Sequence, residues 1–177
     1  MKIVIASDIH GSASFCESLI ERYRLEGGEK LLLAGDILHG APGAGSGAPR
    51  VCALLGELGE DICCVAGNCD RPEDAERLGF PLHEGYYSFD AGERRLVLTH
   101  GHIYNERRLP PLEKGDILVC GHSHVKEAKR LKNGAFLVNP GSLSQPRDGL
   151  RGSYAVYDGK CVLVKYLDGK TVLTLEL

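Results

Sequence analysis

Three apolar runs in the first half of the chain each end at a polar residue. KIVIAS leads into Asp8, KLLLAG into Asp36 and DICCVAG into Asn68. Short runs rich in β-branched and other apolar residues are typical of buried strands. The pattern therefore predicts three strands that each deliver a carboxylate or amide to the loop that follows.

A helix is predicted between the first two runs. Ser14 and Glu17 have the spacing of a capping box, and Gly27-Gly28 supplies a stop signal. Apolar residues recur between these signals at helical spacing, which indicates one buried face. That face is predicted to contain Phe15, Leu19 and Tyr23.

Two shorter helices and a loop complete this half. The Gly- and Pro-rich stretch 39–49 predicts a mobile loop, followed by a helix around Val51 to Leu58. A third helix is predicted from Pro72 to Leu78, with Asp70 interpreted as its N-cap. Alternating strands and helices indicate a parallel sheet flanked by helices, with ligands bound at the carboxyl ends of its strands.

From Tyr86 onward the pattern changes to strands joined by short turns. Asn133-Gly134, Asp158-Gly159 and Asp168-Gly169 separate apolar runs and are strong hairpin signals. We expect a second, more antiparallel sheet that packs on the first in an α/β sandwich. With 177 residues and no long linker or repeat, residues 1–177 are predicted to form one domain.

Composition narrows the choice of partners and compartment. A net charge of −3 gives no general reason to expect nucleic-acid or membrane binding. The apolar run at the start is too short for a signal peptide or membrane span. Seven cysteines without a C-x-x-C repeat suggest reduced thiols rather than a disulfide framework. We therefore expect a cytosolic protein.

Histidine spacing provides the strongest chemical signal. Asp8-Ile9-His10, His100-Gly101-His102 and His122-Ser123-His124 place potential ligands two residues apart, where side chains of extended chain point the same way. One such histidine alone would most simply be structural, but so many strand-end polar groups together predict a metal centre. A mixed Asp, Asn and His set favours Mn, Fe, Zn, Co or Ni over Ca. The seven predicted metal ligands, which exceed the capacity of one ion, are Asp8, His10, Asp36, Asn68, His100, His122 and His124.

The order D-x-H, G-D, G-N-C-D, H-G-H and G-H-S-H resembles the calcineurin-like metallophosphoesterases, and within them the small YfcE-like bacterial and archaeal phosphodiesterases. The resemblance extends from Met1 through Asn139-Pro140-Gly141-Ser142. It implies a four-layer αββα sandwich, α/β in class, with two mixed sheets flanked by helices. It also implies a metal-dependent phosphodiesterase, in which Asp36 bridges the two ions. Asp8, His10 and His124 would complete one site, and Asn68, His100 and His122 the other.

The implied reaction is hydrolysis of a small phosphodiester by hydroxide that bridges two divalent metal ions, with manganese as first choice and Ni, Co, Fe or Zn as alternatives. Asn68, Cys69 and His102 are the candidate catalytic residues. His102 is a candidate for phosphate contact, with a supporting or structural role equally open. Cys69 stands where many larger relatives have histidine. Because a thiol is a weak proton donor, we expect a preference for good leaving groups unless His39 or His102 supplies the proton.

Alternatives of other kinds stay open. A eukaryotic retromer subunit shares this fold and acts as an interaction scaffold, but a scaffold is expected to lose ligand histidines that are all present here. A phosphomonoesterase or nuclease would use the same motifs. Neither the physiological diester nor the oligomeric state can be read from the motifs, although homo-oligomers occur among relatives.

Overall fold

The computed structural model of the protein describes residues 1–39 and 47–177. Most of the predicted loop 39–49 therefore lies outside the described residues. No helix in the described segments is long and apolar enough to cross a membrane. The elements are β1 (Ile3–Ala6), α1 (Ala13–Glu26), β2 (Lys30–Leu33), α2 (Ala48–Gly56), a short 3₁₀ turn (Gly59–Asp61), β3 (Ile62–Val65), α3 (Asp74–Leu78), β4 (Leu82–His83), β5 (Tyr86–Asp90), β6 (Arg95–Thr99), β7 (Ile117–Val119), β8 (Glu127–Arg130), β9 (Phe136–Asn139), β10 (Ser153–Tyr157), β11 (Cys161–Tyr166) and β12 (Thr171–Glu176).

Two mixed sheets form the fold. The first has the strand order β12-β11-β10-β1-β2-β3-β4, and the second has the order β5-β6-β7-β9-β8. Strands β1 to β4 are parallel, as the alternating pattern predicted, and β4 is a strand that the prediction missed. The predicted α/β class with two mixed sheets is confirmed.

The sequence predicts that the last three strands join the second sheet, and this prediction is wrong. Instead, β10 pairs antiparallel with β1, which places Ile3 opposite Tyr157 in the first sheet. The second sheet is also less antiparallel than predicted, because β6, β7 and β9 are parallel neighbours. Hairpin turns determine which adjacent strands pair. They do not determine which sheet the hairpin joins, and here β10–β12 cover the open side of β1, whose residues are all buried.

Three apolar layers stabilise the fold, one between the two sheets and one on the outer face of each sheet. The helices pack on one face of the first sheet, and the two sheets pack face to face. The outer face of the second sheet is covered by Leu112 and Leu131 from connecting segments, not by a described helix. The fourth layer of the implied αββα sandwich is therefore irregular in the described chain.

Helix α1 has the predicted end but a different beginning. Its N-cap is Ser12, so the predicted capping box at Ser14 is wrong, and Ser14 lies within the first turn. Gly27 adopts the left-handed conformation, and the N–H of Gly28 donates to Tyr23 O at 2.9 Å. The buried face consists of Cys16, Leu19, Ile20 and Tyr23, while Phe15 is only partly buried.

Candidate metal centre

The predicted ligands meet at one edge of the sandwich because parallel strands of both sheets end there. Asp8, Asp36 and Asn68 follow β1, β2 and β3 of the first sheet. His100 and His122 follow β6 and β7 of the second sheet, which are parallel neighbours. Loops that are remote in sequence are thereby brought to a common edge.

Strained backbone marks this edge. In the described chain, every non-glycine residue with a positive φ is a predicted ligand. Each such residue costs about 1–2 kcal/mol, and strain of this kind persists where surrounding contacts enforce it. Backbone hydrogen bonds provide that enforcement, since the N–H of Asp8 donates to Gly35 O and the N–H of His10 donates to Asp36 O. The φ angles are 58° at Asp8, 50° at His10, 55° at Asp36, 64° at His122 and 59° at His124.

Asp8, His10 and His124 form a compact, buried group, which we call the inner half of the cluster. Both imidazoles are oriented by backbone carbonyls: Nδ1–H of His10 donates to His39 O at 2.5 Å, and Nδ1–H of His124 donates to Gln145 O at 2.7 Å. A carbonyl can only accept, so each neutral ring carries its lone pair on Nε2. Both Nε2 atoms therefore face the centre of the cluster.

The inner half contains acceptors that face each other without a donor between them. The two Nε2 atoms are 3.4 Å apart, and Nε2 of His124 is 3.1 Å from Oδ1 of Asp8. Oδ1 of Asp8 is buried and has no hydrogen-bond partner among the described residues. Such an arrangement is costly unless a positive charge lies among the acceptors. The residues present therefore fit a divalent cation.

His100, Asn68 and His122 form the outer half. Nδ1–H of His100 donates to Ala34 O at 2.7 Å, and its Nε2 faces Oδ1 of Asn68 at 3.0 Å. The ring of His122 lies 5.1 Å from that of His100, and its backbone N–H donates to Asp8 Oδ2 at 3.2 Å. Unlike the inner half, this half includes two exposed side chains, those of Asn68 and His122.

Asp36 lies between the two halves. Its Oδ2 is 3.4 Å from Nε2 of His100 and 4.0 Å from Nε2 of His10, while its Oδ1 accepts from the Cys69 N–H at 2.8 Å. A carboxylate in this position can contact an ion on either side. The bridging role that the sequence motif implies for Asp36 stays a prediction.

The carboxylates concentrate negative charge at this edge. Burial opposes ionisation of Asp36, but His100 and the Cys69 N–H outweigh it and lower the pKa of Asp36 to about 2. Contact with Asp8 raises the pKa of His124. Burial opposes charge on His100, yet its contact with Asp36 raises the pKa overall. Without a metal these histidines attract protons, so protons and cations compete for the same positions.

Cys69 and His102 border the cluster. Burial, reinforced by Asp36, raises the pKa of the Cys69 thiol to about 11. Its sulfur also belongs to a group with His10 and Asp36 whose potential ligand atoms all lie within 4.8 Å of one another. The exposed ring of His102 lies 5.3 Å from that of His100. His39, the other predicted proton donor, pairs through Nε2 with buried Asp74 at 2.9 Å.

The N-cap interpretation of Asp70 is wrong. The N-cap of α3 is Glu73, while Asp70 accepts three backbone N–H bonds from two loops. Its Oδ2 accepts from Asp36 N at 2.7 Å and from Gly67 N at 2.8 Å, and its Oδ1 accepts from Ile37 N at 2.8 Å. Asp70 thus fastens the loop after β2 to the loop after β3. The only sequence signal was a carboxylate directly after G-N-C.

The segment after β9 supports the cluster from a third side. The hydroxyls of Ser142 and Ser144 donate to the backbone carbonyl of Asp8 at 3.0 and 3.1 Å. The side-chain amide of Asn139 donates to Gly121 O at 2.9 Å, directly before His122. In the sequence this segment was identified only as the end of the family resemblance, and these supporting contacts were not predicted.

Comparison of the sequence with known protein families assigns the chain to one of them. A calcineurin-like phosphoesterase superfamily domain matches residues 1–160. The chain belongs to this superfamily. Membership implies divalent metal ions, and the donor set described above fits them.

Two bacterial relatives resemble the chain in sequence, and one eukaryotic protein shares its fold. Phosphodiesterase YfcE of Escherichia coli is 35% identical, covering 98% of this chain and 96% of its own length. Its solved structure has a TM-score of 0.93, with 99% of both chains covered. Probable metallophosphoesterase YsnB of Bacillus subtilis is 28% identical over 88% of this chain and 83% of its own. Vps29 of Entamoeba histolytica, solved with Zn²⁺, shares the fold at 20% identity, with 99% of both chains covered and a TM-score of 0.66.

Proposed function

We propose that the protein is a metal-dependent phosphodiesterase that hydrolyses small phosphodiesters at a centre for two divalent ions. The observation that carries this proposal is the arrangement of buried acceptors around Asp36. Within residues 1–39 and 47–177, Asp8 Oδ1 and three Nε2 atoms have no donor. The identity of 35% to phosphodiesterase YfcE supports the diester as the substrate class.

Each proposed ion has four protein ligands, of which Asp36 is shared. Two bound cations would lower the pKa of water, so that a hydroxide nucleophile forms near neutral pH, and would neutralise charge on the phosphoryl oxygens. Manganese is our first choice among the divalent ions. The proposed ligands of one ion are Asp8, His10, Asp36 and His124, and those of the other are Asp36, Asn68, His100 and His122.

The protein's own groups prepare the site before metal arrives. Carbonyls of His39, Ala34 and Gln145 keep three imidazoles in the tautomer that presents Nε2. Asn68 Nδ2 donates to Cys69 Sγ at 3.4 Å, which leaves the Asn68 carbonyl oxygen free to act as a ligand. His102 is proposed to contact the phosphate, and Cys69 to donate a proton only weakly to the leaving group.

We further propose one domain over residues 1–177, in the reducing cytosol. All seven cysteines are free thiols, which agrees with a reducing compartment. A homo-oligomer is compatible with the proposed site, because the proposed ligands all come from one chain.

Removal and restoration of metal test the proposed reaction. Protein stripped by a chelator should lose at least about a hundredfold of its activity on a chromogenic aryl phosphodiester, because both ions stabilise the transition state. Mn, Co, Ni, Zn and Mg would then be restored separately, beside the matching monoester. Recovery that is greater on the diester is the expected result.

A remote histidine provides the control. His83 lies on β4 and stacks on Tyr87, outside the cluster, so His83→Ala should recover activity like the parent protein. If two metal equivalents bind but no ester is hydrolysed, a scaffold function replaces the proposed one. Faster hydrolysis of the monoester would instead indicate a phosphomonoesterase.

A further inference from the structure

A cavity of about 250 Å³ lies beside the outer half of the cluster. It is enclosed by the loop after β3, the start of α3, β4 and the segment after β6. None of its lining residues was predicted to bind substrate from sequence, apart from His102. The residues that line it include Ala66, Gly67, Arg71, Ala75, His102 and Ile103.

The cavity adjoins the metal cluster through two of these residues. Gly67 directly precedes Asn68, whose Oδ1 is 3.0 Å from Nε2 of His100. His102 lines the cavity while its ring lies 5.3 Å from that of His100 and 6.2 Å from that of His122. If a phosphoryl group binds at the outer half, one of its ester substituents would therefore reach the cavity.

The walls favour an uncharged ring. Ala66, Ala75 and Ile103 present apolar surface, and Ile103 is 38% exposed although it is a large apolar residue. Three charged residues line the cavity, but the Asp70 carboxylate accepts three backbone N–H bonds. Arg71 and Glu84 then add one charge of each sign, so the cavity has no strong preference for a charged group. A dry apolar cavity of about 150 Å³ suffices for benzene, so this one accommodates a single substituted ring.

We propose that this cavity binds one ester substituent of the phosphodiester, a compact group that contains one aromatic or heteroaromatic ring. The inference rests on the proposed function, since it places the phosphorus at the metal cluster. Ring burial against Ala66, Ala75 and Ile103 would select aryl or base-containing diesters over small alkyl diesters.

Binding of two phosphonates to the manganese-loaded protein tests the cavity without turnover. Phenylphosphonate and methylphosphonate carry the same anionic group and differ in the ring. Titration calorimetry should show that phenylphosphonate binds at least about tenfold more tightly, because its ring leaves water for an apolar wall. Equal affinities would overturn the proposal.

Two variants locate the ring. Ala75→Phe fills the cavity from a partly exposed helical position, and Ile103→Asn makes another part of the wall polar without filling it or adding charge. Each should reduce the preference to less than about twofold while methylphosphonate affinity is unchanged. Ala53→Phe adds the same ring on an exposed position of α2 and should keep the full preference. A preference that survives both cavity variants would overturn the proposal.

The same measurements distinguish failure of the cavity proposal from failure of the proposed reaction. Hydrolysis of a diester together with equal binding of the two phosphonates would reject the cavity and leave the proposed function intact. If the parent protein shows the ring preference, Ala75→Phe lacks it and no ester is hydrolysed, the cavity is supported and the proposed reaction is rejected. If neither phosphonate binds and no ester is hydrolysed, both proposals fail.

Discussion

The inner and outer halves of the cluster differ in exposure, although the same strand-end design produces both. Asp8, His10 and His124 of the inner half are each at most 5% exposed. In the outer half only His100 is buried, and Asn68 and His122 are exposed. An ion in the inner half would meet buried ligands, whereas an ion in the outer half would need to order two exposed side chains.

This difference implies a division of roles. Ordering a side chain costs conformational entropy, so the outer ion should bind more weakly than the inner one. The exposed half also adjoins the cavity, so it is the half at which we expect a substrate oxygen to bind. We therefore expect one tightly bound, buried ion beside a more weakly bound, accessible one.

Asp36→Asn should have the largest effect, because Asp36 faces both halves. We expect at least about a thousandfold loss in kcat/KM on an aryl phosphodiester, since an amide neither carries charge nor bridges two cations well. Steady-state kinetics at saturating manganese provide the measurement, with circular dichroism to verify folding. Retention of most activity would reject the bridging position of Asp36.

His124→Ala and His122→Ala should separate the two halves. Loss of buried His124 should leave about one metal per chain, whereas loss of exposed His122 should leave two at high manganese with roughly tenfold weaker binding of the second. Titration calorimetry with elemental analysis measures both quantities. Equal loss of metal in the two variants would contradict the division between the halves.

Asp70→Asn should loosen the loops that carry Asp36 and Asn68 without removing a ligand. Replacing a charged acceptor of three backbone N–H bonds should cost about 2 kcal/mol of unfolding free energy and weaken manganese binding about tenfold. Urea unfolding and metal titration report the two effects.

A matched aspartate provides the comparison for Asp70. Asp158 accepts the N–H groups of Lys160 and Cys161 in an exposed hairpin turn away from the cluster. Asp158→Asn should leave manganese affinity unchanged. A drop in affinity for this variant as large as that for Asp70→Asn would show that the effect is not specific to the metal loops.

The smallest effect is expected at Glu26, which lies in α1, away from the cluster. Burial opposes its ionisation, but hydrogen bonds from Lys165 and Tyr154 outweigh it and lower the pKa of Glu26 below its ordinary value of 4.5. The stabilisation is therefore complete above pH 4.5 and lost as the pH falls through the lowered pKa.

Glu26→Gln should accordingly cost about 1 kcal/mol at pH 7, and the difference from the parent protein should shrink as the pH falls below 4.5. Urea unfolding over this pH range measures it, and manganese affinity should not change. A cost that stays constant with pH would show that the charge of Glu26 does not stabilise the fold.

Much of the site could be predicted because its signals are local. A carboxylate, amide or imidazole after an apolar run predicts a candidate ligand at a strand end, wherever that strand lies in the fold. For this reason Asp8, Asp36 and His100 were predicted and lie at the cluster. Asp70 was misinterpreted because its three donors come from two loops, and only the packing of β2 beside β3 brings Asp36 and Gly67 to one carboxylate.

The sequence alone determined most of the strands, the hairpin turns and the residue types at the cluster, because spacing and turn chemistry act over a few residues. Tertiary structure decided that β10 pairs with β1, that His124 is buried while His122 is exposed, and that a cavity opens beside His102. Each of these depends on segments that are distant in sequence. Their packing is set by the burial of apolar surface across the whole fold, which no local pattern records.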